Sequence, residues 1–235
     1  MTNFVQYNNK LNTDMYDTLL QLPLFQGLTK DDFNSLLMKL KLNFTKYQAG
    51  STFINAGDAC TDFVFLISGT VVSTRESKSS GFLVKEVLEA PYLLEPFSMF
   101  GVSATYNHSY MAQTDTSALL IDKQYIYTEL NKYSICGMNM LNMLSRKAQA
   151  VDAFIWSRKP FTLREQIIRF ISGLCELQSG EKYLQIKMNT LADLMGTTRL
   201  KISNELNDMA ELGLIVLKRK EIYIPSLTKL TESEL

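Results

Sequence analysis

One histidine, one tryptophan, three cysteines and five prolines in 235 residues leave little material for several kinds of chemistry. With His108 as the sole imidazole, neither a multi-histidine metal site nor a well-supplied nucleophile–histidine system can be assembled. Cys60, Cys136 and Cys175 are odd in number, far apart and without CxxC spacing, which argues against a disulfide framework and against thiolate zinc or iron–sulfur ligation. No run of about 18 apolar residues occurs, so no membrane-spanning helix is expected. The start, MTNFVQYNNKLNTD, lacks the basic-then-apolar layout of a signal peptide, and a cytoplasmic protein without membrane association is expected. Like-charge blocks are missing too. The 24 Lys+Arg balance 24 Asp+Glu, with 46% hydrophobic residues, a composition that folds rather than remaining a disordered tail. The length suits one large domain or, preferably, two of roughly 100 to 150 residues.

What is present falls into segments. Residues 1–22 are polar and Asn-rich, an arm from which little function can be read. PLFQGLTKDDFNSLLMKL predicts a helix over about 30 to 41, with Thr29 as N-cap, Asp31 and Asp32 in the first turn, and Phe33, Leu36, Leu37 and Leu40 on one face. From about 44 to 122, short apolar runs (STFIN, DFVFLISG, TVVST, FLVKEVLE, TSALLID) separated by turn residues predict some eight strands in a sandwich, barrel or jelly roll. Gly50, Gly57, Gly69 and Gly81 punctuate them as turn residues, and DFVFLI is apolar enough for burial on both faces.

The period turns helical at Lys123 and stays so to Trp156. Gly137, Leu141, Leu144, Ala148, Val151 and Ile155 recur there at alternating four- and three-residue steps, a heptad seam suited to packing against a second copy; packing on the β domain is the competing reading. Pro160 interrupts the helix and sets a domain boundary at 157/158. Beyond it, FTLREQIIRFISGLCELQ predicts a helix and YLQIKM a short strand. Two further helices are expected, over 190–195, ended by Gly196, and over 198–212, ended by Gly213. LIVLKRKEIYIP then predicts two strands around a basic turn.

The stretch NTLADLMGTTRLKISNELNDMAELGLI is helix, Gly-containing turn, helix. Its spacing sets Leu191, Ala192, Leu194 and Met195 against Ile202, Leu206, Met209 and Leu212, and leaves Thr190, Thr197, Thr198, Arg199, Leu200, Lys201, Ser203 and Asn204 for a DNA major groove. Lys218, Arg219 and Lys220 would form a wing on the phosphate backbone. Residues 158–220 hold 11 Lys+Arg against 7 Asp+Glu, net +4, whereas residues 1–157 hold 12 against 14, net −2. The positive charge is concentrated in the reading head, although a solvated basic face would produce the same count.

In this order of parts the chain resembles the bacterial Crp/Fnr family of transcription regulators over about residues 23–228. LADLMGTTRLKISNELNDMAELGLI (191–215) looks like the family's recognition segment, and AGSTFINAGDACTDFVFLISGTV (49–71) like its cyclic-nucleotide-binding-type jelly roll. The resemblance implies an α+β fold: an N-terminal double-stranded β-helix jelly roll as sensor (23–122), a long dimerisation helix (123–157) and a C-terminal winged helix-turn-helix (158–235). It implies double-stranded DNA, a second copy of the chain, an unidentified small-molecule effector and RNA polymerase as partners, and no enzymatic activity. Effector binding would change the angle of the two heads through the long helix and the hinge at 158–161.

Departures from the family pattern matter as much. The family's phosphate cassette pairs an acidic residue with an Arg that clamps the cyclic phosphate; here LLEPFSMFGVSATYNHSYMAQ supplies Glu95 but no Arg lies between Arg75 and Arg146, so a cyclic nucleotide is not expected. Glu95, Phe97, Met99, Phe100, His108, Tyr110 and Met111 outline an effector pocket of apolar and aromatic character, plain core being the competing reading. His108 is read as a packed residue, with haem ligation as the minor alternative. The iron–sulfur cluster of the Fnr branch would need an N-terminal cysteine cluster, and none precedes Cys60; the cofactor is left open. In the family's Arg-Glu-Thr-Val-x-Arg run, Arg199 is retained while Leu200 and Asn204 replace the acidic reader and the second Arg, which predicts a different target sequence. Two alternatives stand beside this reading: a regulator of the same fold that needs no effector, and a jelly-roll binding protein or enzyme without DNA binding.

Overall fold

The computed structural model describes residues 17–39, 43–130, 132–157 and 160–233. Most of the expected arm, the hinge residues Arg158 and Lys159, and Leu40 of the first helix lie outside them, as does the side chain of Leu37. The described end of the arm is helical over 17–20, with Leu19 and Leu22 buried. The chain divides into two compact units, one of residues 1–71, 88–107 and 111–153, the other of 72–87, 108–110 and 154–235.

In the first unit, helix α1 (Lys30–Lys39) begins on the expected acidic turn; Thr29 Oγ1 accepts from the Asp32 amide at 3.1 Å. Strands β1 (Asn43–Tyr47), β3 (Asp62–Ser68), β6 (Tyr92–Leu93) and β8 (Thr116–Asp122) form an antiparallel sheet in the order β1-β8-β3-β6. The central strand β3 is the DFVFLI run, and Phe63, Val64, Phe65 and Leu66 are all buried as its composition predicts. Phe25 joins this core, with ring centroids 5.3 Å from Phe33 and 5.4 Å from Phe65. Gly69 is obligatory: its φ is +94°, and a Cβ there would lie 2.6 Å from the Asp115 carbonyl oxygen.

The expected continuous helix to Trp156 is two helices. α2 (Lys123–Leu130) stops before a turn at Lys132–Tyr133, and α3 (Ser134–Trp156) restarts. Tyr133 and Ser134 are weak helix formers, and Ser competes for backbone hydrogen bonds, so apolar periodicity runs across a break that local propensity opens. Among the described residues of α3, Cys136 alone is fully buried, and Asn139 Nδ2 donates to the carbonyls of Leu24 (3.2 Å) and Gln26 (2.7 Å). The seam residues Leu141, Ala148, Val151 and Ile155 are exposed, Gly137 and Leu144 half-buried.

The second unit is built on α4 (Leu163–Leu174). Its start is a capping box: Thr162 Oγ1 accepts from the Glu165 amide at 3.1 Å and the Glu165 carboxylate accepts from the Thr162 amide. Arg169 donates to the carbonyls of Phe154 (2.6 Å) and Ser157 (3.4 Å) at the end of α3, and its guanidinium lies 4.9 Å from the Phe154 ring centroid. That ring also covers Gly173, where a Cβ would come within 2.5 Å of Phe154 Cζ. Strand β9 (Lys182–Gln185), helices α5 (Met188–Leu194) and α6 (Arg199–Glu211), and strands β10 (Val216–Lys218) and β11 (Glu221–Ile224) follow, then a helix α7 (Leu227–Glu232) that sequence reading does not anticipate.

One sheet of this unit has a partner from much earlier in the chain. Five neighbouring strands of this seven-stranded sheet run β10-β11-β9-β5-β4, where β4 (Thr70–Ser77) and β5 (Phe82–Glu89) form a hairpin. Phe82 and Val84 are buried in one cluster with Ile167, Leu184, Leu191 and Ile222, and the Phe82 and Phe170 rings meet edge-on at 5.5 Å. The sequence reading places residues 72–87 within its 23–122 segment; in the structure they pack in this second compact unit.

Candidate nucleic-acid interface

The helix-turn-helix is assembled by a few local decisions. α5 ends at Gly196, whose φ of +62° closes the turn, and the Thr197 amide donates to the Ala192 carbonyl at 3.0 Å. Thr198, extended at φ −88°, caps α6, its Oγ1 accepting from the Lys201 amide at 3.4 Å. Leu191, Ala192, Ile202, Leu206 and Met209 are buried, as the spacing requires. Leu194 and Leu212 depart from it: they are exposed, each at the last turn of its helix where the chain swings away into the following glycine turn. A 2.6 Å ion pair between Arg164 and Glu205 ties α6 to α4.

The outer side of α6 presents the expected reading residues. Thr198, Arg199, Leu200, Lys201 and Asn204 are exposed, Leu200 at 69%, while Thr190, Thr197 and Ser203 are half-buried. Arg199 lines a cavity of about 280 Å³ together with Lys218 and Lys220 of the wing and with Lys187, Asn189 and Glu221. The structure thus brings the start of α6 and the turn between β10 and β11 to one basic surface. Lys187 and Asn189 are additions that sequence reading misses; their signal is position, immediately before and at the start of the helix-turn-helix.

The wing's chemistry is uneven. Lys218 is held 3.5 Å from Glu221, and its ammonium lies 5.0 Å and 5.7 Å from the Tyr223 and Tyr183 ring centroids. Both phenols donate to Glu181, at 2.8 Å and 3.2 Å. Burial and then that bond push the Tyr183 phenol up, and the bond to Glu181 chiefly raises Tyr223. Among the described residues Lys187, Arg219 and Lys220 form no ion pair.

The expected effector-pocket residues are placed unequally. Met99, His108 and Tyr110 are buried, Phe97 is half-buried, and Phe100 and Met111 are exposed. Glu95 is fully buried in a left-handed conformation (φ 37°), and its Oε2 accepts from Ser98 Oγ (2.7 Å), the Asn107 amide (3.0 Å) and Asn107 Nδ2 (3.1 Å). Its Oε2 fixes the loop between Glu95 and Asn107. Lys147, from α3, sits 4.7 Å from the Phe97 ring centroid, a cation near the cassette that comes from outside its sequence. No group of three or more His, Cys, Asp or Glu that could hold a metal exists among the described residues, and no described helix is long and apolar enough to cross a membrane.

Two family models match the chain: a cyclic nucleotide-binding domain over residues 44–133 and a Crp-like helix-turn-helix domain over residues 165–233. Among solved structures, the Thermus thermophilus catabolite activator protein is similar over 90% of this chain and 97% of its own, at 21% identity and a TM-score of 0.50. The sensor domain of the transcriptional regulator DNR from Pseudomonas aeruginosa is similar over 63% of this chain and 95% of its own, at 20% identity and a TM-score of 0.50. At these identities the likeness concerns the fold. No curated protein sequence matches the chain.

Proposed function

The chain belongs to the Crp/Fnr family of transcription regulators, and from that premise we propose that it is a homodimer that reads DNA through α6 in response to an effector other than a cyclic nucleotide. It is a DNA-binding regulator with a sensory domain and not an enzyme. The observation that carries the finer reading is the shared basic surface on which Arg199 meets Lys218 and Lys220. Arg at the start of α6 would pair with guanine O6 and N7, exposed Leu200 would meet a thymine methyl, and the wing would rest on phosphates. The exposed seam of α3 supports a second copy of the chain as its cover.

A cyclic nucleotide does not fit the residues present. Its phosphate would need the guanidinium that residues 76–145 lack, and Glu95, the residue at the acidic position, is already bound by Ser98 and Asn107. A regulator that works without any effector is the second reading, favoured by that internally closed loop. Selection of duplexes from a random library by the full chain should yield one dyad-symmetric sequence. Arg199→Ala should weaken binding to it by about 1 to 3 kcal/mol and relax preference at one base pair per half-site. Failure of the full chain to enrich any sequence overturns the reading.

A further inference from the structure

The hairpin β4–β5 lies in the sensor half by sequence but is locked to the DNA-reading unit. Leu83, Val84, Lys85 and Glu86 pair with Gln185, Leu184, Tyr183 and Lys182 in an antiparallel ladder. Glu86 and Lys182, both nearly fully buried, form an ion pair at 3.0 Å, and Glu86 also accepts from the amides of Glu176 (2.8 Å) and Leu177 (3.1 Å) while Lys182 donates to the Ser179 carbonyl (2.7 Å). A buried pair with both partners so fully used specifies one register, because a slip would strand a charge away from water.

Between this hairpin and the wing runs an open groove of about 560 Å³. The hairpin supplies Glu76, Gly81, Phe82 and Leu83; across from them stand Lys187, Lys218, Arg219, Lys220 and Glu221. The four cations outnumber the two carboxylates, and Lys187, Lys218, Lys220 and Glu221 also line the cavity of Arg199, so the two depressions adjoin. Lys220 holds a positive φ of 63° at the second position of the two-residue wing turn, a place where glycine or asparagine is usual. A lysine there goes against backbone preference. At the hairpin's own tip, Lys78 is exposed among Ser77, Ser79 and Ser80.

We infer that the groove between the β4–β5 hairpin and the wing seats the phosphodiester backbone of duplex DNA flanking the recognised half-site, with Lys78 and Lys187 as added phosphate contacts. This rests on the DNA-reading function proposed above. A small-anion site would be expected to converge buried polar groups on one point. Here Lys187, Arg219 and Lys220 are exposed and strung along a groove, as suits a polyanion. The hairpin would thereby lengthen the footprint of the reading head using a segment that the sequence order assigns to the sensor.

The test uses the full chain and its selected operator, as duplexes with and without about ten flanking base pairs on each side, in anisotropy titrations across a salt series. For the unaltered chain, trimming the flanks should lower affinity and reduce the slope of log K against log salt by about 2 per head, at about 0.9 per phosphate lost. K78A/K187A, two exposed positions, should bind flanked DNA with the salt slope that the unaltered chain shows on trimmed DNA. Equal slopes on trimmed and flanked DNA, or a double variant with the full slope, overturns the inference; Arg199→Ala losing base preference in the same assay would then show that DNA reading itself stands. Saturable binding of inorganic phosphate that K187A abolishes would reassign the groove to a small anion and also overturn it. If no operator can be selected at all, both proposals fall together.

Discussion

Cys60, Cys136 and Cys175 are free and buried, and burial is the main reason their thiols are pushed up, to about 11, about 11 and about 12; nearby Glu95, Asp32 and Glu86 respectively add to the effect. The sign of the pH effect follows. In the unfolded chain these thiols ionise near the ordinary value of 9.0, while in the folded chain they keep their protons to about 11 or 12. Over that interval the folded state binds more protons, so the stability they contribute is complete below pH 9 and is lost as pH climbs through the window. The Tyr106 phenol, raised by burial, acts in the same direction. The urea midpoint should therefore hold steady from pH 7 to 8.5 and fall above it, and a Cys60→Ala, Cys136→Ala, Cys175→Ala variant should fall less steeply. Native protein at neutral pH should resist alkylation; three thiols reacting at the rate of an unfolded control would contradict this placement.

At the scale of elements, α3 poses the clearest question, since 23 residues, roughly 34 Å of helix, carry Leu141, Val151 and Ile155 exposed at 59%, 51% and 63%. Gly137 on the same stripe has nothing within 4 Å of where a Cβ would stand, so no contact within the chain calls for its smallness. A second copy laid along the stripe would account for both facts. Leu141→Glu with Val151→Glu should convert the protein to a monomer by sedimentation equilibrium while leaving its far-ultraviolet spectrum unchanged. A variant that sediments as the unaltered chain does would remove α3 from the interface. The helix-turn-helix was legible because it is a local periodic pattern closed by identifiable residues, Gly196, Thr198 and Gly213. The break before Ser134 was not, because apolar spacing continues across it. Nor was the pairing of β5 with β9: FLVKEVLE reads as a half-buried strand in any sheet, and its partner lies about a hundred residues away, beyond the reach of local pattern. Glu95 could be picked out as an acidic residue in the cassette, but only the fold shows that Ser98 and Asn107 hold its Oε2.

For the whole molecule, a net charge of zero is the sum of a slightly acidic first part and a reading region carrying +4 over residues 158–220. Four net charges per head would give little non-specific affinity at physiological salt, so under the proposed homodimer tight binding would come from two heads engaged together on one duplex, the second binding as an intramolecular event. The spacing of half-sites would then be a geometric requirement. In a symmetric dimer the two recognition helices meet successive major grooves, about 34 Å apart on one face of the helix. Lengthening the spacer of the selected operator by about five base pairs turns the second half-site to the opposite face. The unaltered chain should then bind with the affinity it has for an isolated half-site, and restoring a full turn by adding about five more should recover part of the loss. The α3 variant Leu141→Glu with Val151→Glu should bind all three duplexes alike and as weakly as one half-site. If the unaltered chain is itself indifferent to the spacer, each head acts alone, and the affinity must arise within a single reading unit and the groove beside its wing.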